Sequence, residues 1–189
     1  MEKIFIILNG IRLFPLWILI KIRLALGDTY LKLLLEDLNK AGKSFFVLLY
    51  YRPEYKVLCY HRIGRISKLV AWICGDYSLC IPHRKKLHIG GGLTLAHPQN
   101  SFLCAKSIGS YLHIKHNVTI GLGKGGVPII GNNVYVGCGA CILGGITVGD
   151  NVKIGAGCVV VHDVPSDCTV IGNPAYIVKL KGKKVCIKL

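Results

Sequence analysis

From about Ile81 onward the chain carries an aliphatic residue at every sixth position: Ile108, Ile114 and Ile120, then Ile130, Val136, Ile142, Val148, Ile154 and Val160. Glycine follows most of these, at Gly109, Gly121, Gly131, Gly137, Gly149 and Gly155. A second small or aliphatic residue stands four places after most of them, at Leu112, Val118, Val134, Ala140, Ile146, Val152, Cys158 and Val164, with earlier traces at Ile89, Leu93 and Leu95. An α-helix repeats every 3.6 residues and a strand every 2, so neither sustains a period of six over such a length. That period is the mark of a parallel β-helix, in which each hexapeptide is one short strand plus a turn and three close a triangular coil of about eighteen residues. The aliphatic side chains stack inward as ladders, and glycine permits the tight corners. Residues 81–175 have room for about five coils.

The preceding residues, 1–80, read as a small helical region. Asp28 and Thr29 can cap a helix running through Leu38, with Gly42 as its stop, and a second helical stretch is expected from about Glu54 to Cys74, after Pro53. Residues 1–27 are strongly apolar, but Arg12, Lys21 and Arg23 interrupt them and Pro15 sits in the middle. The uncharged runs, 4–11 and 13–20, fall well short of the roughly 20 residues a spanning helix needs. No small-residue cleavage site follows, so a signal peptide is not expected. Two readings remain, a helix packed on its own protein or subunit and a basic anchor on a membrane surface, of which packing is preferred. Residues 181–189 form a basic tail.

Charge is lopsided, with 24 basic against 9 acidic residues and a net +15. This favours anionic partners such as nucleotides, acidic lipid surfaces or acidic glycans. Nucleic acid is not expected, because no recognition module accompanies the charge. A hydrophobic content of 52% excludes a disordered chain. The nine cysteines are odd in number and scattered, and they read as small buried residues in a reducing, cytoplasmic compartment, with the inner membrane surface as the alternative location. Cys138 and Cys141 form a C-x-x-C without the second pair a zinc site normally needs, so no metal is expected.

Two features point to chemistry. Between Ile120 and Ile130 the repeat is broken by extra residues within GLGKGGVP, residues 121–128. Loops extruded from solenoids usually lie on the binding face. Four glycines around Lys124 suggest backbone N–H groups near an anion. The second feature is His97, on a coil corner, with His116 nineteen residues later. That spacing is one coil plus one, and the register slips by one between Leu95 and Ile108, so both imidazoles should occupy nearly the same corner of adjacent coils. Acyl transfer from a thioester needs a base for the acceptor hydroxyl's proton, and imidazole suits that task.

Several stretches together resemble the serine acetyltransferases: GGLTLAH (91–97), HNVTIG (116–121) leading into the glycine loop, VGCGACILG (136–144), IGAGCVV (154–160), and Asp163-Val164-Pro165 followed by Gly172-Asn173-Pro174-Ala175. The resemblance spans about 81–180 and extends more weakly upstream, through LLEDLNKAG and LLYYRPEYKVLCYHRIGR. It implies a left-handed parallel β-helix and an acetyl-CoA-dependent O-acetyltransferase. It also implies a homotrimer with active sites between subunits. By the same resemblance His97 is the catalytic base, and Asp37 falls near an acidic residue that contacts the substrate amino group. Acetyl-CoA, a co-substrate, would lie against Gly121, Gly123, Gly137, Cys138 and Gly139, with Lys153 and Lys179 as candidates for its phosphates.

Three departures bear on the acceptor. The family's serine-recognising aspartate is here Ala96, the aspartate orienting the histidine falls near Pro82, and a second active-site histidine is replaced by the Val127-Pro128 segment. These losses resemble small members of the same branch that acetylate sugar hydroxyls in capsule or lipopolysaccharide assembly. L-Serine is the primary expectation for the acceptor and a glycan hydroxyl the alternative. A non-catalytic β-helix scaffold would need neither histidine nor the loop. A zinc hydratase would need three convergent histidines, and His83, His88, His113 and His116 do not offer such a set with His97.

Overall fold

The six-residue ladder folds into three parallel sheets that form the faces of a triangular prism. The structure is a computed structural model and describes residues 2–41, 45–52, 54–64, 79–82 and 87–189. One face stacks β1 (His88–Ile89), β4 (Ser107–Ile108), β7 (Ile129–Ile130) and β10 (Thr147–Val148). The second stacks β2 (Thr94–Leu95), β5 (His113–Ile114), β8 (Tyr135–Val136), β11 (Lys153–Ile154) and β13 (Cys168–Ile171). The third stacks β3 (Phe102–Leu103), β6 (Thr119–Gly121), β9 (Cys141–Leu143) and β12 (Val159–Val160). The result is a left-handed parallel β-helix of four full turns plus β13, where the repeat count suggested about five.

Burial follows the ladder. Ile108, Ile114, Ile120, Ile130, Val136, Ile142, Val148, Ile154 and Val160 are all buried, and so are the second-rank residues from Leu112 to Val164. Six apolar residues per coil removed from water (Ile130, Val134, Val136, Ala140, Ile142 and Ile146 in one turn), at roughly 1.5–3 kcal/mol for each large side chain, hold each turn on the next.

Each coil's backbone bonds to the next coil, so the first and last turns would present unpaired edges. At the far end an antiparallel hairpin closes the edge. It comprises β14 (Tyr176–Leu180) on β13, then β15 (Lys183–Lys188), turning through Lys181 and Gly182, both at positive φ as a two-residue hairpin turn requires. Residues 181–189, set apart in sequence as a basic tail, therefore include a paired strand.

The helical region plugs the near end. It comprises α1 (Glu2–Ala25), α2 (Thr29–Ala41), α3 (Phe45–Tyr51) and α4 (Tyr55–Ile63). Asp28 caps α2 by accepting the Tyr30 N–H at 3.0 Å. The expected second helix begins on time but is described only to Ile63, since residues 65–78 lie outside the described residues. The side chains of this plug serve the orphan backbone groups of the first coil. Arg62 donates to the carbonyls of Ile89 and Gly90, the latter at 2.6 Å, and Arg52 donates to the carbonyl of Leu95. Asp37 accepts the Leu93 N–H at 2.8 Å, and the Tyr55 hydroxyl accepts that of Leu95 at 3.4 Å.

Helix α1 continues through Pro15. Leu13, Leu16 and Ile20 are buried, and the inner face packs on α2 and α3. The opposite face, with Ile7, Ile11, Phe14, Ile18 and Ile22, is exposed in the single chain. Among the described residues no helix is long and apolar enough to cross a membrane.

Candidate active site

The second face of the prism turns into the third at one corner, and that corner collects six of the candidate residues: Ala96, His97, His116, Gly137, Cys138 and Gly139. In the lower turns four residues separate the paired strands: Lys115–Val118, Gly137–Ala140 and Gly155–Cys158. In the first turn six residues, 96–101, make the same corner. Register locates the two extra ones. Leu95 pairs with Ile114 and Phe102 with Thr119, and the Asn117 N–H reaches the Gln99 carbonyl at 2.8 Å. In regular turns the equivalent bonds run from Gly139 to His116 and from Gly157 to Cys138. Gln99 thus stacks over His116, and His97-Pro98 is the two-residue insertion.

His97 shares the corner with His116, as expected, but projects from it rather than standing directly above. Pro98 is buried and anchors the bulge, while His97 is exposed with a φ of 55°. Among the described residues seven other non-glycine residues share that left-handed backbone, Asn100 and Asn117 at this same corner, so what sets His97 apart is the insertion that carries it. Ser101, buried at the end of the corner, accepts the Val118 N–H through its hydroxyl at 3.1 Å and ties the corner to the next turn. Sequence inspection passed over Gln99 and Ser101, whose signal is the register slip itself.

His116, Cys138 and Ala156 follow down the same corner, and Gly139, with φ 68°, adopts there a backbone that disfavours side chains. Gly137 and Gly139 leave the edge without bulk, so a long ligand can approach the backbone closely. Gly121 ends β6 on the third face. The 121–128 loop is not a free excursion. Gly123 and Gly126 exchange N–H···O bonds of 2.9 and 3.2 Å, and the Lys124 carbonyl accepts the Gly145 N–H at 2.9 Å. A Cβ on Gly145 would run into the Gly125 carbonyl, so the loop lies flat on the next turn and leaves the Lys124 side chain exposed. Pro128, buried, returns the chain to the ladder and gives its carbonyl to the Lys106 N–H at 2.8 Å.

Lys153 and Lys179 come together on the second face. Lys153 pairs with Thr169 and Thr169 with Lys179, so both exposed lysines stand on one side, two strands apart, or about 10 Å.

Asp37 has a different setting from the one its sequence position suggested. It is fully buried, 3.1–3.2 Å from the Nη2 and Nε atoms of an equally buried Arg62. Burial pushes its carboxyl up to about 6, opposed by the Arg62 charge and the Leu93 N–H. Near the strand leading to His97, the cap places Arg52 on the Leu95 carbonyl, with Arg52 Nε on Glu54 Oε1 at 2.6 Å. Two cap carboxylates, Asp37 and Glu54, are therefore held by arginines, whereas Glu36, exposed on α2, sets its carboxylate against Gly91 of the first coil. Ala96, half-buried, offers only a methyl group. His61 shares a 2.7 Å hydrogen bond with the Pro82 carbonyl.

The second face also carries His113, its ring centroid 5.0 Å from that of Tyr135 and tilted 41° to it. Its pKa is lowered, first by burial and then by Lys115 and Lys40. The unfolded chain binds this proton more readily, so the contribution to stability is present above pH 6.5 and is lost as pH falls through the folded value. His113→Gln should flatten the decline in Tm between about pH 7 and pH 5, and an unchanged slope would contradict this assignment. Among the described residues no three histidine, cysteine or acidic groups converge to hold a metal ion.

Residues 128–162 match the Bacterial transferase hexapeptide (six repeats) family, which sets the chain among the hexapeptide-repeat transferases. A serine acetyltransferase of Synechococcus elongatus is 34% identical over 173 residues, covering 82% of this chain and 68% of that protein. One from Helicobacter pylori is 34% identical over 163 residues, covering 77% of this chain and 92% of that protein. The solved serine acetyltransferase of Neisseria gonorrhoeae superposes with a TM-score of 0.65 at 30% identity, covering 84% of this chain and 69% of that one. The chain belongs to the serine acetyltransferase family and is an acyltransferase.

Proposed function

We propose that the chain transfers acetyl from acetyl-CoA to an acceptor hydroxyl with His97 as general base, and that L-serine, the substrate in its relatives' name, is the first acceptor to test. What carries this reading is the two-residue insertion that holds an exposed imidazole at the head of a glycine-lined corner. His97 takes the hydroxyl proton as the oxygen attacks the thioester carbonyl. The carbon–sulfur bond then breaks, and the CoA thiolate leaves with the proton returned by the imidazolium. Cofactor contacts along Gly121, Gly123, Gly137, Cys138 and Gly139 suit a pantetheine arm, and Lys124 and Lys179 are cations for its phosphates, whereas Lys153 lines a cleft of its own. His116, one turn below, would steady the bound thioester.

A trimer with active sites between subunits fits the exposed apolar residues Phe102, Leu122 and Val161 on the third face and its loop corner. Light scattering should then report three copies of the 20.7 kDa chain, and a monomeric mass would remove this part of the reading.

One observation favours a second acceptor class. An ammonium group needs a carboxylate partner; the cap's Asp37 and Glu54 are already bound to Arg62 and Arg52 and Ala96 supplies none, which leaves Glu36, beside Gly91, as the carboxylate an amino-acid acceptor would have to use. A sugar hydroxyl needs no such partner. CoA release from acetyl-CoA should be followed with L-serine and with a panel of neutral and acidic sugars. Turnover with serine assigns the amino-acid reaction, turnover only with sugars assigns the second, and no CoA release with either removes both.

A further inference from the structure

The outward side of the second face holds a cavity of about 380 Å³, within the roughly 300–1,000 Å³ range of small-ligand sites. Three groups of different character converge on it. Lys40, from the last turn of α2, and Lys153, from β11, bring positive charge, and no carboxylate stands among the lining residues. Tyr111 and Tyr135 supply aromatic surface, with the Lys40 ammonium 5.8 Å from the centre of the Tyr111 ring. Thr94, Asn133 and Asn151 add a hydroxyl and amides.

The amides are pre-oriented. Asn133 Nδ2 donates to Asn151 Oδ1 at 2.9 Å, and Asn151 Nδ2 donates to Asp167 Oδ1 at 2.8 Å, a ladder that leaves one N–H on each amide for another acceptor. The Nε2 atom of His113, also in the lining, is buried without a hydrogen-bond partner in the structure. A buried ring nitrogen left unpaired is costly, and a ligand oxygen or hydroxyl would relieve it. Polar groups ranged around aromatic walls suit a polyol ring, and the two lysines call for negative charge on it.

We propose that this cleft binds an anionic sugar unit, one carrying a carboxylate or a phosphate. The cleft also adjoins the candidate base. Thr94 on β2 and His113 on β5 each stand three residues before His97 and His116, so the cleft lies on the face that leads into the corner bearing them. A sugar chain held here would present a hydroxyl of the next unit to His97. That use rests on the acyl-transfer reading, whereas the binding itself does not.

Titration calorimetry on the intact protein should compare glucuronate and glucose 6-phosphate with glucose and inorganic phosphate. Both acidic sugars should bind roughly tenfold or more tighter than glucose, and glucose 6-phosphate tighter than inorganic phosphate. Lys40→Ala and Tyr111→Ala should each weaken the acidic sugars by about tenfold, and saturating CoA should leave their binding unchanged. Equal binding of glucose and glucuronate, no binding of either acidic sugar, or indifference to Lys40→Ala would overturn the proposal. So would inorganic phosphate binding as tightly as the sugar phosphate, or displacement by CoA, which would give the cleft to the cofactor. CoA release is read separately on the same samples. Its absence with every acceptor counts against the acyl-transfer reading alone, whereas turnover of other acceptors without acidic-sugar binding counts against the cleft alone.

Discussion

His97→Ala should lower the rate of CoA release by roughly 10²- to 10⁴-fold, the usual contribution of a positioned general base. The loss should fall on kcat, with the KM for acetyl-CoA nearly unchanged, because the imidazole acts on the acceptor's proton and not on the cofactor. The side chain is exposed and its backbone is left-handed, so alanine adds strain of its own. His97→Asn separates the two effects, since asparagine tolerates that backbone but is not a base. Both variants should be equally inactive, with the asparagine variant keeping the parent Tm. A His97→Asn rate within a few-fold of the parent would exclude His97 as the base. A large loss in His116→Ala with none in His97→Asn would move that role one turn down.

Arg62→Met should destabilise the fold by about 3–5 kcal/mol at neutral pH, enough to remove much of a typical domain's margin. The substitution strands the Asp37 carboxylate in the plug and leaves the carbonyls of Ile89 and Gly90 without their donor. Replacing both partners, as Asp37→Leu with Arg62→Met, should recover a large part of the loss, because the intact pair repays little beyond its own desolvation. The raised Asp37 pKa says the same: its contribution is full below about pH 4 and is lost as pH rises through about 6. Urea unfolding of the two single variants and the double variant makes the comparison. A double variant as unstable as the sum of the singles would show no coupling between the two side chains and would overturn this account.

The prism was legible because its rule is local. Each inward position obeys the same six-residue period, so Ile108 to Val160 could be assigned to the core one hexapeptide at a time. The corner bearing His97 and His116 was legible for the same reason, and the loop at 121–128 announced itself by breaking the period. Helix α3 was not foreseen, because FFVLLYY is apolar throughout and carries no helical periodicity.

What the tertiary structure decided is what depends on residues far apart in the chain. A slip of register is visible in sequence, but only the pairing of Leu95 with Ile114 and Phe102 with Thr119 shows that His97-Pro98 is the inserted pair. Asp37 could be read as a substrate contact until Arg62, 25 residues away, was found against it in the plug. Lys40 meets Tyr111 and Lys153 only because α2 lies across the first coil, an arrangement set by the unpaired backbone edge that the helices cover. Periodicity fixes which side chains point inward. Which outward side chains meet is fixed by how the ends of the solenoid are closed.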